Sequence, residues 1–268
     1  EGLELFDDLY DREQVKALEI GDSGIVQEIT LKNESLSYLL LFDGEAIIGA
    51  KQNRISERTV ILQSNSETQI PVNCVERGRW QFDEDVHFAK SNFSASPRMK
   101  SRKAELLNND ESHRVQDIMW GEIDELSMKL NASSATDDLG EVLRTRESKF
   151  RPTELDEIFK NPCNGFLVLG TDNPFIELYH DKQVCNKQIR KSFVSWIADA
   201  ESSKVKTEFA DPKYFIKRFI ETNWVDDKAV GIEKSFKSKS SSSDCHGRTV
   251  MMDDNFIHSN FFFNIFKI

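Results

Sequence analysis

Apolar positions in the first ninety residues gather into short runs broken by polar turns. The runs GIVQEITLKN, LSYLLLFDGEAIIGAKQ, RTVILQS and TQIPVNCVE are rich in β-branched and aliphatic residues and predict an antiparallel β region. Within FDGE, Asp43 and Gly44 stand between two apolar arms, and such a dipeptide favours the positive-φ turn of a hairpin. Past Ser96 the period lengthens. Val115, Ile118, Met119, Ile123, Leu126 and Leu130 recur at three- and four-residue steps, which predicts one apolar helix face in a helix beginning near Ser112. A second helix is expected over 137–149. A short third is expected from Thr153, whose hydroxyl can cap free amides while Asp156 occupies the first turn.

The β pattern returns after Pro162 in GFLVLGTDNPFIELYHD, read as two strands joined at Thr171 to Pro174. Helices are expected over 182–202 and 212–222, then a last β portion in AVGIEKSF and RTVMMDDNFIHSNFFF. Between these last runs lies KSKSSSSDCHG, whose composition predicts a mobile loop over 237–247. The order β, then α, then β with α argues for a single α+β domain over 1–268: β-rich to 95, helical over 96–160, mixed over 161–268. A strand, an Asp-containing turn and a second strand recur three times, too weakly to define a repeat.

Composition narrows the function classes. The chain has 268 residues, 38% hydrophobic, enough to bury a core. A net charge of -11 argues against broad nucleic-acid binding, which needs a concentrated basic face. A small anionic ligand needs only a local cluster. No apolar run approaches the ~20 residues of a membrane span, and the first residues lack the basic and apolar regions of a signal peptide. Cys74, Cys163, Cys185 and Cys245 form no CxxC pair, so no zinc ribbon or dithiol motif is written here. Four dispersed cysteines fit a reducing compartment, and the expectation is a cytoplasmic protein. There is no GxGxxG, GxxxxGK[ST] or GxSxG.

The stretches LLLFDGEAIIGAKQNR and IPVNCVERGRW resemble the domain family named for its association with ADP-ribosylglycohydrolases and rhodanese-phosphatase proteins, in which a DGE, a GAKQNR-like and a PVxCVExGRW-like element occur in this order. The resemblance runs from about residue 2 to 263, strongest over 39–80 and again visible in AVGI and NFIHSNFF. It implies a context of NAD and ADP-ribose metabolism and no particular reaction. The Ser-rich insert and the aromatic FFFNIFKI end depart from the family pattern.

Candidate chemistry concentrates in these stretches. Lys51 and Arg54 emerge at a strand end and, with Arg77 and Arg79, can hold a phosphate or carboxylate, the Arg fork binding two oxygens at once. The alternative is a set of surface ion pairs. Glu45 and Glu76 are the natural acid–base pair if their segments adjoin; alternatively each carboxylate pairs with an arginine to hold a turn. Cys74 is a nucleophile if guanidiniums stabilise its thiolate, and otherwise a core residue. His87 and His113 are distant candidate bases, and Trp80 can stack on a ring or close a core. His180 and His258 with Asp253 or Asp254 lack the spacing of a metal motif, and no metal site is expected. His246 falls in the predicted mobile loop. Two functions compete: a domain that binds or processes an NAD-derived or ADP-ribose-like anion, and a noncatalytic binding or scaffold module.

Overall fold

The computed structural model describes residues 2–21, 23–79, 88–147, 156–157, 160–204, 211–239 and 244–264. In chain order these form β1 (Leu3–Leu5), α1 (Phe6–Asp11), β2 (Val15–Leu18), β3 (Glu28–Asn33), β4 (Tyr38–Leu41), β5 (Glu45–Ile48), β6 (Arg54–Ser56), β7 (Val60–Leu62), β8 (Ser66–Cys74) and β9 (Ala89–Ser94). The helical middle follows as α2 (Pro97–Asn108), a 3-10 turn at Ser112–Arg114, α3 (Val115–Leu130) and α4 (Leu139–Glu147). The remainder is β10 (Gly165–Val168), β11 (Phe175–Tyr179), α5 (Lys182–Ser202), α6 (Pro212–Ile220), β12 (Trp224–Asp227), β13 (Lys234–Ser238), β14 (Cys245–Met252) and β15 (Asn255–Phe263). The fold is mixed α+β, as the element order implied.

Two six-stranded sheets, ordered β2-β3-β8-β6-β5-β9 and β10-β11-β15-β14-β13-β12, are accompanied by a three-stranded sheet β1-β4-β7. Every pairing is antiparallel except β1 with β4. Helices α2 and α5 connect the two large sheets, α2 packing on β14 and β15, α5 on β9 and β11. Local chemistry sets their starts. Ser96 accepts from the Met99 amide ahead of Pro97, and Asp181 accepts from the amides of Gln183 and Val184. Leu5, Leu40, Phe42 and Ile61 share one core cluster with Phe175, Trp196 and Phe262, so the N- and C-terminal parts are joined by apolar burial.

Three expectations change. The FDGE turn does not close a hairpin: β4 pairs with β1 and β7, whereas β5 pairs with β6 and β9, so the turn carries the chain from one sheet to another. Gly44 has φ +78, and a Cβ there would lie 2.6 Å from Lys100 Cε, so glycine is needed for both the turn and the approach of α2. The loop expected over 237–247 is also shorter at both ends, where strands enter it. Lys237 and Ser238 end β13, while Cys245 to Gly247 begin β14 and pair with Phe261 to Phe263, which buries His246. A polar sequence is held extended there by the ladder on both sides and by its aromatic neighbour strand. Ser240 to Ser243 and the helix start at Thr153 lie outside the described residues. Finally, α1 and α2 interrupt or precede the regular patterns and were not separately visible in them, and AVGI forms no strand.

Candidate functional site

The two motif stretches meet because β6 and β8 pair with Arg54 opposite Cys74. Past the end of β8 the chain stays tied to the first motif: the Val75 amide donates to the Asn53 carbonyl at 3.0 Å, and the Asn53 amide to Glu76 Oε2 at 3.1 Å. Arg79 reaches back three residues and grips both Glu76 oxygens, Nε to Oε1 at 2.8 Å and Nη2 to Oε2 at 2.7 Å. Thr136 Oγ1 donates to Oε1 at 3.0 Å. Burial raises the Glu76 pKa, but Arg79 and the Asn53 amide outweigh it and hold the carboxyl below its usual range. Gly78 lets the chain pass Thr136, whose Cα would stand 2.8 Å from an added Cβ.

Arg54 is fully buried; its Nη1 donates to Gln52 Oε1 at 3.3 Å and Nη2 lies 3.8 Å from Glu19 Oε1. Cys74 Sγ donates to the same Gln52 oxygen at 3.0 Å, and burial pushes its thiol pKa up. This is the environment of an inert core thiol. Lys51 is buried beside Gly24, its backbone amide donating to Glu19. Arg77 points away, exposed, and pairs with Asp124 and Asp137. Hence Arg54, Glu76 and Arg79 come together with Cys74, Gln52 and Asn53, while Arg77 belongs to another surface.

Glu45 joins a different group. Its Oε2 accepts from the Phe42 amide at 2.8 Å and its Oε1 from Lys191 Nζ of α5 at 2.6 Å. Lys191 also binds both oxygens of Asp7 in α1, at 3.0 and 2.9 Å. Burial lowers the Lys191 pKa, yet Glu45 and Asp7 together leave it above its ordinary value. The other acid of the motif, Asp43, takes Lys103 Nζ from α2 on Oδ1 and Asn260 Nδ2 on Oδ2 at 2.8 Å. Lys100 meets Glu177 at 2.9 Å, and Tyr179 donates to the other Glu177 oxygen at 2.9 Å. His258 bonds Thr59 at 2.9 Å between the rings of Phe42 and Tyr179, and burial pulls its pKa to about 4, so it is neutral near pH 7. The DGE turn is therefore a hub at which lysines of two helices dock onto carboxylates of a sheet.

Two adjoining clefts open over these groups, sharing Ile48 and Asn92. The first, about 300 Å³, is lined by Asn53 and Asp138 with Gly49, Phe93 and Arg144. Asp138 Oδ1 accepts from Asn53 Nδ2 at 2.9 Å, and Oδ2 caps α4 through the Glu141 amide at 3.0 Å. Burial, with help from nearby Glu76, raises the Asp138 pKa. The second cleft, about 490 Å³, brings Lys90, Lys187, Arg190 and Lys191 around Asp7. Glu76 thus lies behind the Asn53–Asp138 wall of one cleft, and Glu45 behind the Lys191–Asp7 wall of the other.

A family described as the ARG and Rhodanese-Phosphatase-superfamily-associated Protein domain matches residues 2–262. The chain belongs to this family. No curated protein matches it, and no solved structure does. Within this member of the family, the DGE and CVERGR elements each build one polar cluster.

The remaining candidates are placed as follows. His113 is exposed on the 3-10 turn, and His87 and Trp80 lie outside the described residues. Asp253 and Asp254 form the β14–β15 turn with φ of 48 and 62, and Asp254 pairs with Lys234, so neither joins His258. Among the described residues no group of three His, Cys, Asp or Glu side chains is arranged to hold a metal ion. Sequence reasoning missed Asp138, Lys191 and Lys103. Asp138 had a signal, since D-L-G-E is a cap followed three residues later by Glu. The two lysines had none, because their partners are 146 and 60 residues away.

Proposed function

We propose that this domain binds a small anionic, nucleotide-like ligand of the ADP-ribose or NAD-derived class across the two adjoining clefts. The observation that carries the reading is the convergence of Lys90, Lys187, Arg190 and Lys191 on one cleft, beside a second that offers Asn53, Asp138 and the Phe93 ring. Phosphates would sit among the cations, and ribose hydroxyls against Asn53 and Asp138. Lys187 and Arg190 are held by exposed Asp8 and Asp156. Such exposed pairs are worth roughly 0–1 kcal/mol, so a phosphate can displace them. The combined space suits a ligand larger than a single phosphate. Reading the ARG of the family's description as ADP-ribosylglycohydrolase supports the same ligand class. Arg79 acts in this reading from behind the cleft wall, holding Asn53 and Glu76 in position, while Arg54 holds Gln52.

A noncatalytic module is favoured over turnover by one feature: all four oxygens of Glu45 and Glu76 already have partners. Calorimetry and thermal shift with ADP-ribose, NAD, AMP and inorganic phosphate test the proposal. ADP-ribose or NAD should stabilise the protein more than phosphate does, and replacing Lys187 and Arg190 together by Ala should weaken binding at least about tenfold. Absence of any nucleotide-dependent shift overturns ligand binding and leaves the scaffold reading.

A further inference from the structure

The four cysteines are all free thiols, and two of them are neighbours. Their proximity follows from strand register. Gly165 of β10 pairs with Leu178 of β11. The pairing continues outward: Tyr179 donates to the Asn164 carbonyl at 2.7 Å, and Asn164 Nδ2 to the carbonyls of Tyr179 and His180 at 3.3 and 3.2 Å. Cys163 is thereby held alongside the end of β11. There Asp181 turns the chain into α5, whose first turn brings Cys185 round, its amide donating to the Asp181 carbonyl at 3.0 Å. Cys185 lies in an apolar cluster against which Cys163 packs, and the two thiols feel one another electrostatically. Cys163 is half-buried and reachable from solvent, whereas Cys74, Cys185 and Cys245 are buried.

We propose that Cys163 and Cys185 form a redox-reversible disulfide site, closed by a hydroperoxide oxidant and opened by a dithiol. In the first step the Cys163 thiolate attacks one oxygen of hydrogen peroxide; the O–O bond breaks, hydroxide leaves, and Cys163 becomes a sulfenic acid. In the second, the Cys185 sulfur attacks the Cys163 sulfur, the S–O bond breaks, and the Cys185 proton leaves with the oxygen as water. The hydroxide of the first step takes up the proton that Cys163 gave to solvent. Two thiols are oxidised by two electrons and one peroxide is reduced to two waters. Burial and the neighbouring Cys163 thiol push the Cys185 pKa up to about 12, so the first attack falls to the more accessible Cys163. The bond staples the start of α5 to the β10–β11 hairpin and closes a loop of roughly twenty residues.

The test is peptide mapping of the whole chain after titration with hydrogen peroxide, with alkylation of the remaining thiols. The expected result is a linked peptide pair containing Cys163 and Cys185, short of two hydrogens and released by dithiothreitol, at doses that leave Cys74 and Cys245 alkylatable. The Tm should rise by roughly 5 °C on closure. In Cys185→Ser, Cys163 should instead be trapped by dimedone as a sulfenic acid. An unmodified Cys163, or one that advances to sulfinic acid in the wild-type chain while Cys185 stays alkylatable, overturns the proposal. The wild-type map decides even if the variant does not fold.

Discussion

Asp43 and Glu45 at the DGE turn, and Glu76 at the CVERGR turn, are all carboxylates within reach of cations, yet they are held in opposite ways. Asp43 and Glu45 take lysines from distant helices in the interior, with Lys103 fully buried. Glu76 takes an arginine from its own turn, and that arginine is partly exposed. The interior pairs hold sheets and helices together, and removing one partner leaves a charge that water cannot reach. The local pair holds only a turn, and its loss is cushioned by solvent and by Asn53 and Thr136. Long-range buried pairs therefore define the tertiary arrangement, and the local pair shapes the cleft wall.

The largest effect should come from Lys103→Met, which strands Asp43 and should cost about 3–5 kcal/mol in urea unfolding. A cost no greater than that of Glu76→Gln would erase the distinction between the two turns. Asp199 of α5 sharpens the point, since it is as buried as Asp43 but has no lysine bonded to it. Its Oδ2 accepts the Arg98 amide at 2.7 Å, and burial raises its pKa to about 6. The signs then oppose. Asp43, lowered by Lys103 and Lys100 against its burial, contributes stability above its unfolded pKa that is lost as pH falls through its folded value. Asp199 binds its proton more tightly folded than unfolded, so stability declines as pH rises from about 4 to 6. Asp199→Asn should remove that decline and be more stable than wild type at pH 7 by roughly 2 kcal/mol, measured by denaturation at pH 4 and 7.

Smaller effects are expected at the second turn. Glu76→Gln loses the charge-assisted bonds from Arg79 and should cost about 1–2 kcal/mol at pH 7. Because Glu76 is held below its usual range, the cost should vanish as pH falls through its folded pKa. Arg77→Ala, at the exposed pairs with Asp124 and Asp137, should change stability by less than about 0.5 kcal/mol. An Arg77 effect as large as that of Glu76 would mean that the surface pairs, and not the Glu76–Arg79 fork, hold this turn.

Apolar patterning was enough to place α5 over Lys182 to Ser202, the apolar face of α3, and the strands around IPVNC, because side-chain period is a local signal. That the GAKQNR and CVERGR stretches belong to one β region was legible for the same reason. Three outcomes needed the tertiary structure. Whether FDGE closed a hairpin or crossed between sheets depended on which strands met β4 and β5, and its own residues are the same in either case. That Cys245 to Gly247, at the end of KSKSSSSDCHG, would be strand depended on Phe261 to Phe263 as neighbours. That Glu45 would meet Lys191 instead of Glu76 depended on α5 crossing β9, which brings together charges 146 residues apart. Local sequence sets backbone conformation through short-range sterics and hydrogen bonding, whereas the partner of a buried charge is chosen by how the apolar faces pack.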